Sequence, residues 1–146
     1  MTLKDKLDEF AEWVKDCSGS EKRQGRTFLE KFFKAWGWRD TCEAKVLFEE
    51  PIPYGSMSGG TGEADALIKG EVVIEMKSRK ENLQDHFGQI LRYWTCLVPK
   101  PKYAILCNFD EFWIYDFNLQ FEEPVDKVKT SLISQRFSAL AFFNKK

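Results

Sequence analysis

Residues 62–77, GEADALIKGEVVIEMK, decide how this chain is read. Two short β-type runs, Ala64–Ile68 and Val72–Met76, flank a turn signal at Lys69-Gly70. Side chains alternate faces along a strand, so Ala64, Ala66 and Ile68 share one side, as do Val72, Ile74 and Met76. A two-residue turn would set Ile68 against Glu71 and mix these faces. Slipping by one residue pairs Ile68 with Val72, Ala66 with Ile74 and Ala64 with Met76, which is a consistent core face. The same register sets Asp65 opposite Glu75 at about 5 Å, with Lys77 further along that side.

Two facing carboxylates repel, and one takes up a proton unless a cation lies between them. Mg²⁺ suits such a pair, because it takes oxygen ligands from one or two carboxylates, water and substrate phosphate. A lysine beside that cation can stabilise developing charge or help deprotonate an attacking water. Asp-x9-Glu-x-Lys on a hairpin therefore points to phosphodiester hydrolysis. The plainer alternative is a surface hairpin with a Glu-Lys pair, since Glu-x-Lys alone carries little in a chain that is 31% charged.

Outward from the hairpin, the 3.6-residue period of Leu83, Phe87, Ile90, Leu91 and Trp94 predicts a helix from Glu81 to Leu97. Gln89 and Tyr93, one turn apart, share its edge and are candidates to position a nucleotide or a water, or are ordinary amphipathic edge residues. Asp85 and His86 are weaker candidates. Basic residues gather at Lys77–Lys80 and at Lys100 and Lys102, so Arg79 and Lys80, with Tyr93, are candidate DNA contacts, or the basic patch is an ordinary solvated face. Upstream, two helices are expected within residues 1–38, Leu3–Asp16 and a second from the Ser20 N-cap to Trp36-Gly37. Glu21 projects onto the apolar face of the second helix, either as a third acidic member of a site or as charge compensation at the helix start. Glu30 is expected to face solvent.

The remaining chain reads as a strand at Glu43–Phe48, a Pro/Gly loop over 49–62 that could close over a groove, and strands at Tyr103–Cys107 and Glu111–Phe117. A C-terminal helix is expected over Asp126–Phe143, docked through Phe142-Phe143. The expected fold is a mixed α/β (α+β) sheet of about five strands flanked by helices, with residues 43–117 as the sheet core and a parallel crossover after Lys77.

At 146 residues, with 43% hydrophobic content, the chain suits one globular domain (1–146) rather than a disordered one. No apolar run approaches a membrane span. Four dispersed cysteines and one histidine argue against a zinc site and for reduced thiols in the cytoplasm. A net charge of −1 is unusual for a nucleic-acid enzyme, so another domain would supply part of any DNA affinity.

Asp65-x9-Glu75-x-Lys77 on a hairpin, followed by a helix, resembles the PD-(D/E)xK nuclease superfamily, with Ala64 in place of the usual proline. Residues 20–38, 62–94 and 103–117 together resemble the N-terminal nuclease domain of fused restriction-methyltransferase enzymes (type IIG/IIL-like). The resemblance implies a restriction-endonuclease-like core and a Mg²⁺-dependent DNA endonuclease, with Mn²⁺ as a possible substitute. It implies Asp65, Glu75 and the Met76 carbonyl as metal ligands, and Lys77 as the residue that orients or activates water. It further implies Glu21 as the acidic residue of the early helix, and Gln89 and Tyr93 as a Gln-x3-Tyr motif. Double-stranded DNA is then the substrate. Methyltransferase and target-recognition domains, whose signatures are missing from these residues, are expected in the same or a partner chain. The alternatives are a weak or inactive DNA-docking domain of the same fold, or an interaction domain that does not touch DNA.

Overall fold

A computed structural model describes residues 1–55 and 59–146. Its centre is a six-stranded mixed sheet in sequential order, β1 (Leu47–Pro53), β2 (Thr61–Ile68), β3 (Val72–Met76), β4 (Tyr103–Cys107), β5 (Glu111–Tyr115) and β6 (Asp126–Lys129). All neighbours are antiparallel except β3 and β4, which run parallel as the crossover requires. Helices α1 (Leu3–Lys15) and α2 (Glu21–Ala35) and the C-terminal segment share one hydrophobic cluster with one face of the sheet, and α3 (Phe87–Cys96) shares another with the opposite face. The α1/α2 layer is dense in rings: Phe28 and Phe32 pack against Phe10 and Phe112, and Phe143 closes on Phe32 and Phe33. Among the described residues, no helix is long and apolar enough to cross a membrane.

At the turn end, the hairpin adopts the expected register. Ile68 faces Val72 and Ala66 faces Ile74, and Glu71 N–H closes the turn on the Ile68 carbonyl at 2.9 Å. Gly70 takes a φ of +75° there, a conformation glycine adopts without a Cβ clash. The ladder then stops, and the expected Ala64–Met76 pair does not form. Ala66 belongs to the α1/α2 core whereas Ala64 belongs to the α3 core, so β2 changes phase at Asp65. On the other side of β2, Phe48 faces Ala66 and Glu50 faces Ala64, and between them Glu49 turns left-handed with φ +51°. A non-glycine residue in that region is strained by roughly 1–2 kcal/mol.

Four segments differ from the sequence reading. The first strand starts at Leu47, not Glu43, because Thr41–Lys45 forms a turn closed by Val46 N–H on the Thr41 carbonyl. It then runs through Pro51 and Pro53, tolerated because β1 is the sheet edge and prolines two apart leave the same edge without donors. Much of the expected 49–62 loop is thus strand, and its residues 56–58 lie outside the described part. The helix expected from Glu81 begins at Phe87, preceded by a 3₁₀ turn at Leu83–His86 that Asn82 caps by accepting from Gln84 N–H. The helix expected over Asp126–Phe143 is instead β6 and two 3₁₀ stretches, Thr130–Leu132 and Phe137–Phe143. Strand β5 has an open edge to fill, and Val128 fits it as the one buried residue of an alternating DKVK segment. Thr130, buried, donates from its hydroxyl to the Phe109 carbonyl at 2.6 Å, which fixes the chain in that path. Phe142 and Phe143 do dock, Phe142 stacking on Tyr103 at 4.1 Å.

Candidate active site

Where the β2–β3 ladder ends, side chains take over its hydrogen bonds. Met76 N–H donates to Asp65 Oδ2 at 2.6 Å, and Asp65 N–H donates to Glu75 Oε1 at 3.2 Å. The broken ladder thereby holds two carboxylates side by side. Lys77, two residues beyond Glu75 and on the same side of β3, places Nζ 3.5 Å from Glu75 Oε2. The Glu75 and Lys77 side chains are only 8% and 11% exposed, so this ion pair is shielded from bulk water. Lys77 N–H continues the sheet onto the Cys107 carbonyl at 2.7 Å, which anchors the end of β3.

Burial sets the electrostatics. It pushes the Glu75 carboxyl up to about 8, helped by the Asp65 charge and opposed by Lys77. Burial also raises Asp65, against the Met76 N–H that stabilises its anion. Without a cation the pair retains a proton near neutral pH.

Helix α2 brings Glu21 to the same place. Its N–H donates to Ser78 Oγ at 3.1 Å, tying the start of α2 to the chain just past β3. Burial raises its carboxyl, and Lys77 and Asp65 both act on it electrostatically. Glu21, Asp65, Glu75, Lys77 and the Met76 position line one cavity of about 590 Å³. Gln89 and Tyr93 line its α3 side and bond each other, Gln89 Nε2 to the Tyr93 hydroxyl at 3.0 Å. Burial and the Glu75 charge push the Tyr93 hydroxyl up to about 12, so it stays protonated. Gln89 Oε1 is buried and has no partner among the described residues.

The basic candidates separate. Lys80 is exposed on the turn after β3, outside the cavity lining. Arg79 faces inward: Nη1 donates to the Cys17 carbonyl and Nη2 to the Val14 carbonyl, at 2.9 and 2.8 Å, and the guanidinium pairs with Asp110 at 3.0 Å. It caps the C-terminal carbonyls of α1, so its guanidinium is engaged within the fold. Asp85 is exposed, and His86 pairs with Glu81 at 3.1 Å; neither lines the cavity. Glu30 is exposed, as the helix phase requires.

Several lining residues escaped sequence reasoning: Glu49, Tyr54, Glu63 and, on α2, Lys22 and Arg26. Gly62 carried a signal for one of them. A Cβ there would overlap the rings of Tyr54 and Tyr93, which stack over it with centroids 6.4 Å apart. The cavity is acidic overall, five acids against three bases, with Lys77 already paired.

No three His, Cys, Asp or Glu side chains converge as a metal cluster among the described residues. Two oxygen-donor carboxylates nevertheless fit Mg²⁺ or Mn²⁺, which complete their shell with water and substrate phosphate. The Asp65 and Glu75 carboxyls share a hydrogen bond, and Glu75 Oε2 also faces Lys77, so both would have to reapportion these contacts to hold a cation.

The family model described as "MmeI, N-terminal domain" matches residues 5–146. Among solved structures, the chain is similar to one described as "cryoEM structure DrdV-DNA complex", with a TM-score of 0.59 and 15% identity over 99% of this chain. The match takes in 14% of that chain, so residues 1–146 correspond to a small part of a much longer protein. At that identity the likeness is one of fold. No curated protein matches.

Proposed function

This chain belongs to the MmeI N-terminal domain family, and on that premise we propose that it is a Mg²⁺-dependent DNA endonuclease domain of a restriction-modification enzyme. The observation that carries the proposal is the pair of half-buried Asp65 and buried Glu75, with Lys77 3.5 Å from Glu75, at the wall of a cavity large enough for a phosphodiester. The structural relative, DrdV, is in complex with DNA, which agrees with such a substrate.

Asp65, Glu75 and the main-chain carbonyl of Met76 would hold the cation, with Mn²⁺ as a substitute. Bound there, it supplies Lewis-acid polarisation of the phosphoryl group and lowers the pKa of water. Lys77 stabilises charge developing on the non-bridging phosphate oxygens. The open Gln89 Oε1 accepts a hydrogen bond from the attacking water and orients it. The Glu21 carboxylate, whose proton affinity burial raises, takes up a proton from that water on the α2 side. A new P–O bond forms as the bond to the leaving sugar oxygen breaks, and that oxygen leaves as an alkoxide that takes its proton from solvent water. Tyr93, its hydroxyl bonded to Gln89, supports Gln89 rather than contacting DNA directly. Target recognition and methylation belong to further domains in the same or a partner chain.

Plasmid cleavage by the 146-residue chain in Mg²⁺ tests this reading. Wild type converts supercoiled DNA to nicked and linear forms, and Asp65→Asn, Glu75→Gln and Lys77→Met do not. Cleavage that persists in all three variants refutes the assigned site. Metal-independent DNA binding without any cleavage by wild type favours the docking alternative.

A further inference from the structure

An acidic cavity must still attract a polyanion, and of the cations Lys77, Arg79 and Lys80 only Lys80 is exposed, outside the cavity lining. Lys77 is paired inside, and Arg79 is spent on α1. Two other arginines flank the cavity mouth. From α2, the Arg26 guanidinium lies over the Phe48 ring, 4.1 Å from its centroid. From α3, the Arg92 guanidinium lies over the Tyr54 ring at 3.7 Å. Phe48 and Tyr54 both line the cavity. Both arginines are exposed, and neither forms an ion pair with an acid among the described residues.

The placement is two-sided. Phe48 packs with the core under α1 and α2, and Tyr54 with the core under α3. The arginines therefore approach the cavity from opposite layers, with the carboxylates between them. A ring beneath a guanidinium holds its plane and leaves the N–H edge free, so less freedom is lost when that edge meets a phosphate.

We infer that Arg26 and Arg92 form a two-sided clamp on the DNA backbone, gripping phosphates on either side of the one presented to Asp65 and Glu75. This rests on the nuclease reading, and the clamp positions substrate without touching the reacting atoms. Lys22, one turn before Arg26 on the same wall, adds charge to the α2 side.

The test is binding of a fluorescein-labelled 20-base-pair duplex to the 146-residue chain in Ca²⁺, across a series of salt concentrations. Each lost phosphate contact lowers the slope of log K against log salt by about 0.9. Arg26→Gln and Arg92→Gln each lower that slope by about this amount, with thermal stability unchanged. Arg26→Lys retains the slope but binds more weakly than wild type, because a lysine keeps the charge without the planar fork. Lys34→Gln, at the far end of α2, matches wild type. Wild-type affinity and slope in both glutamine variants overturn the clamp, and Mg²⁺-dependent cleavage by wild type then leaves the nuclease reading standing. A slope carried by Lys80→Gln instead overturns it too. If wild type neither binds the duplex nor cleaves plasmid at low salt, both readings fall together.

Discussion

The two ends of one hairpin follow different rules. Near Gly70, main-chain pairing is regular and apolar side chains alternate into the core: Ile68 on Val72, Ala66 on Ile74. One residue further, at Asp65 and Glu75, pairing stops, β2 changes face and carboxylates occupy the main-chain donors. The closed end is organised for stability. The open end concentrates buried charge that the fold does not need, with a strained Glu49 beside it. Strain and unfavourable burial gathered at one spot are what a pre-organised functional site looks like in energetic terms.

Neighbouring substitutions should separate the two ends most sharply. Ile74→Ala, in the closed half, is expected to cost about 2–5 kcal/mol by removing transfer energy and leaving a cavity. Urea unfolding measures this directly. Glu75→Gln, the next residue, is expected to leave the apo chain at pH 8 as stable as wild type or more so, because a buried charge is gone. Cleavage should nevertheless fall by on the order of 10²–10³-fold or more. If both variants destabilise equally, the functional distinction between the ends is lost.

The pH dependence sharpens the same contrast. The folded Glu75 carboxyl is raised to about 8 against an ordinary 4.5, so the folded chain holds a proton that the unfolded chain releases across this window. The folded state binding more protons means that stability falls as pH rises from about 4.5 to 8. Asp65 shifts in the same direction. Thermal melts of the metal-free chain should show this decline, and Glu75→Gln should flatten it. A smaller effect is expected at Gly25, inside α2 and on the cavity wall. An added Cβ would meet Met76 and Glu21 at 3.8 and 3.9 Å, ordinary contact distances. Gly25→Ala should stabilise the chain by up to about 1 kcal/mol through helix propensity. It should also slow cleavage, because the methyl group enters the cavity. Equal gains in stability and rate would show that the cavity has room to spare.

What was legible in the sequence tracks how local the deciding interaction is. The hairpin register could be read because one slip would invert every apolar residue from Ile68 to Ile74. The grouping of Asp65, Glu75 and Lys77 followed from it. The phase change at Asp65 could not be read: Ala64 and Ala66 look alike, and nothing marks Glu49 as left-handed. The segment after Asp126 misled because Val128, Leu132 and Leu140 mimic a helical stripe. Leu132 is in fact 40% exposed, and what settled the outcome was the distant open edge of β5. The internal partners of Arg79 were equally illegible, since Val14 and Cys17 come from the first helix and its end. Arg26 on Phe48 and Arg92 on Tyr54 are likewise tertiary pairings without a sequence signature.

A nuclease needs the open end of the hairpin to be a divalent-cation site rather than a strained corner of the sheet. Thermal melting at pH 8 with increasing Mg²⁺ measures that directly, on wild type beside Glu75→Gln. A melting temperature that climbs with Mg²⁺ in wild type and stays flat in Glu75→Gln is the predicted result. Melting curves that ignore Mg²⁺ in both proteins, or respond equally in both, would contradict it.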